Sequence, residues 1–232
     1  MIQNNFALRH IRSFVRRDGR MTAAQRRVLE ELWPLLGLER DQGPADFDKI
    51  FRRNAPRILE IGFGSGASLL QIAAASPECD FIGIETYQPG VGSLLLGIES
   101  AMLTNIRVYY ADAVLVLKHC IPANSLDGLQ IFFPDPWQKR RHHKRRLIQP
   151  EFINAVLAKM KPGAILHLAT DWEDYAHKMM QVLSHTPQLI NLAGENQYAE
   201  RSAQRPVVTK FEGRGERHGR PIWELQFAVK AD

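Results

Sequence analysis

Residues 57–66 read RILEIGFGSG, and the organisation of the whole chain follows from that stretch. Ile58, Leu59 and Ile61 form a short apolar run of the kind shown by a parallel strand buried on both faces. Gly62, Gly64 and Gly66 end the run, and a helical pattern over residues 68–75 starts at once. Only glycine, which has no Cβ, lets backbone approach a ligand so closely, so strand, glycine turn and helix together describe a nucleotide-binding corner. The spacing is G-x-G-x-G rather than the G-x-G-x-x-G of dinucleotide binders. Glu60, ahead of the first glycine, would repel a pyrophosphate. It suits a ligand with a cationic end, such as the amino group and sulfonium of S-adenosylmethionine. The competing account of the glycines alone is an ordinary tight turn in an α/β domain.

Outward from this corner the alternation is regular. Residues 80–85 (DFIGIE), 106–111 (IRVYYA), 127–133 (DGLQIFF) and 164–169 (AILHLA) read as further strands. Helical patterns lie between them near residues 91–103, 113–119 and 151–160, and another follows over 172–184. Weaker strands at 189–192 and 223–229 are expected to close the sheet as an antiparallel edge. The expected fold is α/β, a doubly wound, mostly parallel sheet of about seven strands with right-handed crossovers. Ahead of it, residues 1–50 form a basic N-terminal arm and a helix, and residues 51–232 form the main domain. In the arm, Arg9, Arg12, Arg16, Arg17 and Arg20 are interleaved with Phe6, Ile11 and Phe14. Thr22 and Gln25 make a capping box for a helix carrying Val28, Leu29, Leu32 and Trp33 before Pro34.

Ligands in such sheets bind at the carboxyl ends of the strands. Acids stand there in a row: Glu60, Glu85, Asp112 and Asp171, with Asp135 held between Pro134 and Pro136 after the fourth strand. Any one of them reads equally well as a helix cap. Together they meet the needs of a nucleoside with a positively charged tail. Glu85 lies where a carboxylate accepts both ribose hydroxyls. Asp112 could accept from an adenine amino group or cap the next helix, and Glu60 would order the methionine-amino end.

The 232 residues carry a net charge of +5 and are 45% hydrophobic, which excludes a disordered chain and favours one α/β domain with an appendage. The positive charge is concentrated in two places, the arm and Lys139–Arg146 (KRRHHKRR), which follows Asp135 directly. Basic runs are commonly solvated faces. At the mouth of a pocket, phosphate neutralisation is the better account. His142 and His143 have no acid or cysteine at ligand spacing, so no metal is expected. The two cysteines, Cys79 and Cys120, show no disulfide framework and fit a reducing cytoplasm. No apolar run is long enough to span a membrane.

ExGxGxG at Glu60–Gly66, GIE at Gly83–Glu85, FFPDPW at Phe132–Trp137, the basic run, ATDW at Ala169–Trp172 and TKFE at Thr209–Glu212 occur together and in order. In this set the chain resembles the bacterial tRNA (guanine-N7-)-methyltransferases, members of the Rossmann-like class I S-adenosylmethionine-dependent enzymes. The likeness runs from Arg57 to the end, and RSFVRRDGRMTAAQ (Arg12–Gln25) is similar to the family's amino-terminal signature. The resemblance implies methyl transfer from S-adenosyl-L-methionine to N7 of guanine 46 in the tRNA variable loop, with Asp135 at the catalytic position. It implies cofactor contacts from Glu60, Glu85, Asp112 and Asp135 around Gly62, Gly64 and Gly66. It further implies substrate contacts from Lys139, Asp171, Thr209, Lys210, Phe211 and Glu212, and RNA contacts from Arg141, His142, His143, Lys144, Arg145 and Arg146. A cytoplasmic monomer is the expected form.

Three other readings compete. An adenine-N6 or other amino methyltransferase has a D/N-P-P-Y loop like Pro134–Trp137, but the second position differs and TKFE is extra. A non-catalytic RNA-binding relative would have lost acids that this chain keeps. A nicotinamide dehydrogenase is disfavoured by Glu60 and by the glycine spacing. The arm can be tested separately. Deleting the residues before Thr22 should weaken tRNA binding and flatten its salt dependence while cofactor affinity stays as it was. Unchanged tRNA affinity in a filter-binding salt series would remove the arm from the RNA interface.

Overall fold

The computed structural model describes residues 13–14, 19–202 and 221–231. Thr209–Glu212 and Arg9, Arg12, Arg16 and Arg17 of the arm lie outside the described residues. Among those described, β1 (Arg57–Ile61), β2 (Asp80–Glu85), β3 (Ile106–Tyr110), β4 (Leu126–Phe132) and β5 (Met160–Thr170) run parallel. A further strand, β6 (Leu189–Asn191), pairs only with β7 (Trp223–Val229), which inserts antiparallel between β5 and β6. The order is β3-β2-β1-β4-β5-β7-β6, so the winding reverses between β1 and β4. That reversal opens a crevice at the strands' carboxyl ends.

Side-chain alternation sends the strands' apolar residues to two faces. Leu59, Ile61, Ile82, Ile84, Leu129, Ile131, Leu166 and Leu168 join one cluster. It is closed by α5 (Ala113–His119), α6 (Pro150–Leu157), α7 (Glu173–Ser184) and Phe47 of the short α2 (Phe47–Phe51). Phe81, Ile106 and Val108 face the other way, against α1 (Ala23–Leu36), α3 (Ala67–Ala75) and α4 (Gln88–Ala101). The capping box forms as read: Thr22 Oγ1 accepts from Gln25 N–H at 3.2 Å, and Gln25 Oε1 accepts from Thr22 N–H at 2.9 Å. The same Gln25 donates through Nε2 to Pro89 O at 3.1 Å and Ser93 Oγ at 2.8 Å, fastening α1 to the start of α4.

The strand and helix bounds differ from the expected ones near prolines and glycines. Helix α4 begins at Gln88 rather than 91, because Pro89 fits the first turn, where its missing N–H has no partner to lose. Pro150 opens α6 in the same way. Strand β5 begins at Met160 rather than 164, since Gly163 at φ 79° absorbs an irregularity in the β4–β5 register. Helix α1 continues through Pro34 to Leu36, and the Gly37 N–H still reaches Trp33 O at 2.8 Å. The boundary drawn between residues 50 and 51 falls inside α2.

One helical glycine is forced by contact. A Cβ at Gly90 would lie 2.1 Å from the carbonyl oxygen of Gly64, so α4 can approach the glycine turn only with hydrogen at that position. In an ordinary helix interior, glycine to alanine gains roughly 0.5–1 kcal/mol. Here the sign reverses. Gly90→Ala should melt below the wild type, by about 2–4 °C for each kcal/mol lost. A thermal melt in which the variant equals or exceeds the wild type would remove the close contact from this account.

Candidate active site

The glycine turn adopts the left-handed backbone that its composition requires. Gly62, Gly64 and Gly66 have φ of 79°, 59° and 80°. A Cβ on Gly66 would strike Leu94 at 2.7 Å, so this glycine serves packing against α4. Around Gly62 and Gly64, added Cβ atoms would meet nothing within 4 Å, so these two border open space at the switch point. Glu85 holds the turn in place. One of its oxygens accepts from Gly64 N–H at 2.8 Å, and the other accepts from Thr86 N–H at 2.6 Å and Tyr87 N–H at 3.0 Å. An ionised carboxylate has about four acceptor sites. The Thr86 hydroxyl adds a weaker donor at 3.4 Å to the oxygen shared by Thr86 and Tyr87, so the room to accept from a ligand hydroxyl is on the other oxygen, which takes only Gly64 N–H among the described residues.

Glu60 is 2% exposed, and its Oε2 has no hydrogen-bond partner. Desolvation, with a smaller contribution from Glu85, pushes its pKa up to about 8. In the ligand-free protein Glu60 therefore holds its proton at neutral pH. Gln130 lies beside it in register on β4, and Gln130 Oε1 is also buried without a partner. An unpaired polar atom in the interior is costly, and a cationic ligand reaching Glu60 would relieve that cost. An orphaned acid, an open glycine turn and the Glu85 acceptor together fit a nucleoside with a cationic tail. Asp112 caps α5, its Oδ1 accepting from Val114 N–H at 2.9 Å, so the capping role is realised at that position.

Asp135 and Asp171 leave from neighbouring strands, β4 and β5, which pair Phe132 with Ala169 just before the two acids. The Asp135 loop is strained at both ends: Phe133 has φ 51° and Trp137 φ 45°. Left-handed backbone costs a non-glycine residue about 1–2 kcal/mol, so surrounding contacts must hold the loop. Phe133 N–H donates to Ala169 O at 2.8 Å, and Trp137 Nε1 donates to Ser13 O at 3.0 Å. The Arg145 guanidinium lies 4.8 Å from the Trp137 ring, and His142 meets it edge-on at 5.9 Å. Burial, with the charges of Arg141, Arg145, Lys139 and Lys144, holds the His142 pKa below its ordinary value.

The basic run forms a 3-10 turn over Arg140–Arg145 beginning after Lys139, and Lys139, Arg141, Lys144 and Arg145 are exposed. Arg146 corrects the expectation that the whole run faces RNA. It is 3% exposed, because its guanidinium is drawn inward by Asp174 and the Pro136 carbonyl. Among the described residues no group of three metal-ligating side chains occurs, and no helix is long and apolar enough to cross a membrane.

Comparison with known proteins gives this edge its family. A family model described as "Putative methyltransferase" matches residues 54–225. The tRNA (guanine-N(7)-)-methyltransferase of Alcanivorax borkumensis is 53% identical over 224 residues, covering 97% of this chain and 93% of that protein. The enzyme of the same name from Pseudomonas syringae pv. tomato is 56% identical over 219 residues, covering 94% and 89%. The chain belongs to the tRNA (guanine-N7-)-methyltransferase family. Among solved structures, the 16S rRNA methyltransferase KamB superposes with a TM-score of 0.58 at 14% identity, covering 81% of this chain and 95% of that one. The aminoglycoside resistance methyltransferase NpmB1 gives 0.54 at 15% identity, covering 83% and 94%. Both share the fold of the family.

On this fold the structure brings Glu60, Gly62, Gly64, Glu85, Asp112, Asp135 and Asp171 to one edge of the sheet. The stems of the segment containing Thr209–Glu212 reach the same edge, since Trp223 pairs with Thr170 beside Asp171. Sequence reading missed Gly90, Gln130 and a buried pair, His167 Nε2 and Glu224 Oε2, 2.8 Å apart. Ser202 N–H also reaches Glu224 Oε2, at 3.2 Å, which ties one of those stems to β7. The lone polar residues in AILHLA and DGLQIFF were the available signal, but strand patterning alone gives no partner for them.

The Glu60 pKa makes a pH prediction. A group whose folded pKa is raised contributes stability that is complete below the unfolded value and lost as pH rises through the folded one. The ligand-free protein should therefore lose stability up to about pH 8, where Glu60 ionises. Glu60→Gln cannot ionise, so its melting temperature relative to the wild type should climb across that window while S-adenosylmethionine binding weakens. Parallel melting curves at every pH would show that Glu60 ionises freely in the fold.

Proposed function

We propose that this chain transfers the methyl group of S-adenosyl-L-methionine to N7 of guanine 46 in the variable loop of tRNA, giving 7-methylguanosine, and that it works as a cytoplasmic monomer. The observation that carries the reading is the convergence of five carboxylates and an open, left-handed glycine turn on the carboxyl edge of a sheet belonging to this family. The position of the guanine rests on the resemblance of the motifs.

S-adenosylmethionine would supply an electrophilic methyl group on a sulfonium. Glu60 would hold the methionine-amino end, Glu85 the ribose hydroxyls and Asp112 the adenine amino group, with Gly62, Gly64 and Gly66 admitting the ligand to the backbone. Guanine N7 already carries an in-plane lone pair, so no proton must leave and no side chain must act as a base. What the protein contributes is alignment, the main term expected for such a transfer. Asp135 and Asp171 share the grip on the guanine N1–H and amino group, and Asp135 stabilises the positive charge arriving on the purine.

Lys139, Thr209, Lys210, Phe211 and Glu212 complete the substrate contacts. Arg141, His142, His143, Lys144 and Arg145 neutralise tRNA phosphates, each contact releasing counterions. A base must leave its stack to reach this edge. Trp137, whose ring meets Arg145 and His142, or Phe211 would stack on the base.

The deciding experiment incubates the protein with labelled S-adenosylmethionine and unmodified tRNA, then digests to nucleosides. Labelled 7-methylguanosine, lost in Asp135→Ala, is the expected result. Label on another nucleoside would reassign the target to an amino or other methyltransferase. Absence of label with tRNA still bound would make this chain a binding protein on an enzyme fold.

A further inference from the structure

Arg146 ends a run of cations but does not share their environment. Its side chain is 2% exposed, whereas that of its partner Asp174 is 64% exposed. Nε donates to Pro136 O at 2.9 Å, and one terminal nitrogen donates to Asp174 Oδ2 at 2.5 Å. The same nitrogen lies 3.1 Å from His143 Nε2. The guanidinium lies 4.8 Å from the centre of the Tyr175 ring, and the Tyr175 hydroxyl accepts from Ile148 N–H at 3.1 Å. The Arg146 hydrogen bond is also the main reason the Asp174 pKa falls below the ordinary carboxylate value. A guanidinium satisfied on this many sides has no fork left for a phosphate.

The place of this contact gives it a function. Pro136 is the residue after Asp135, and Asp174 stands in the first turn of α7, which follows Asp171. We propose that Arg146 is a positioning residue for methyl transfer. It clamps the Asp135 loop to the head of α7 and so fixes the spacing of Asp135 from Asp171. The inference rests on the function proposed above and deepens it. The loop starts and ends in left-handed residues, Phe133 and Trp137. Its first end is held by the sheet through Phe133 N–H and Ala169 O. Its second end is held by Arg146, by the Trp137 contact with Ser13, and by Arg145 and His142 against the Trp137 ring. Lysine in place of Arg146 would keep the charge but could not hold the Pro136 carbonyl and Asp174 with one planar fork.

The test compares Arg146→Lys with Asp174→Asn, the latter altering an exposed residue and so sparing the fold, and with Arg141→Ala as the phosphate-contact reference. Steady-state kinetics on tRNA, the salt dependence of tRNA binding, and hydrogen exchange over residues 133–139 of the ligand-free protein are the readouts. Arg146→Lys and Asp174→Asn should lower kcat, by up to about a hundredfold for an ångström-scale misplacement. They should leave KM for tRNA and the salt slope as in the wild type, and they should speed exchange in the loop. Arg141→Ala should raise KM and reduce the salt slope by about 1. A reduced salt slope for Arg146→Lys with kcat and loop exchange unchanged would make Arg146 a phosphate contact and overturn the proposal. So would wild-type behaviour in every readout. If the wild type methylates no guanine, loop exchange alone decides: faster exchange in both variants upholds the clamp, and the functional reading is what fails.

Discussion

The Glu85 carboxylate takes the N–H groups of Gly64, Thr86 and Tyr87 at once, and those groups belong to parts of the chain that go different ways. Gly64 is the middle of the turn leaving β1, whereas Thr86 and Tyr87 lead from β2 into α4. Bringing them to one acid requires the turn to run left-handed at alternate positions and α4 to touch the Gly64 carbonyl across Gly90. Once that corner is closed, α4 has a fixed start, and α1 is fastened to it through Gln25. The crevice beside Glu60 is then bounded by backbone that cannot retreat. The acids on the other strands gain meaning from this rigidity, because a ligand held at β1 and β2 would present its far end to β4 and β5.

Much of this was legible in the sequence because it depends on local chemistry. RILEIGFGSG carries its own strand, turn and helix, and the Thr22–Gln25 capping box needs only a separation of three residues. The sheet edge was readable too, since acids recur after successive strands. What could not be read was set by contacts far apart in sequence. Helices α4 and α6 start at Gln88 and Pro150, ahead of the expected 91 and 151, because a proline fits the first turn of a helix as readily as it ends one. Gly90 looks like a poor helix residue until the Gly64 carbonyl is found against it. His167 finds Glu224 only once β7 has paired with β5. The capping and ligand readings of Asp112 were inseparable for a different reason: one carboxylate at the end of a strand is placed for both.

The basic run shows how composition overstates uniformity. KRRHHKRR reads as a block of like charge, and like charges side by side repel unless something opposes them. In the fold the block is divided. Exposed cations line the rim, Arg145 lies against Trp137, and Arg146 turns inward to Asp174 and the Pro136 carbonyl. A single stretch thus supplies both an electrostatic surface and the support for the loop beneath it. The two roles need different properties of the same residue type. Rim arginines that met a phosphate would act through net charge and tolerate movement, whereas Arg146 is held by the geometry of its fork.

The insertion of β7 between β5 and β6 also fixes the order in which the sheet can be finished. Among the described strands β6 joins the sheet through β7, yet it is made first, with residues 192–222 still to come before its partner. A chain emerging from the ribosome therefore holds β5 as a bare edge, with Leu166 and Leu168 awaiting Leu225 and Phe227. Unpaired edges of this kind recruit other chains. Vulnerability to misassembly is thus built into synthesis itself. It ends only when β7, translated after the other six described strands, pairs with β5.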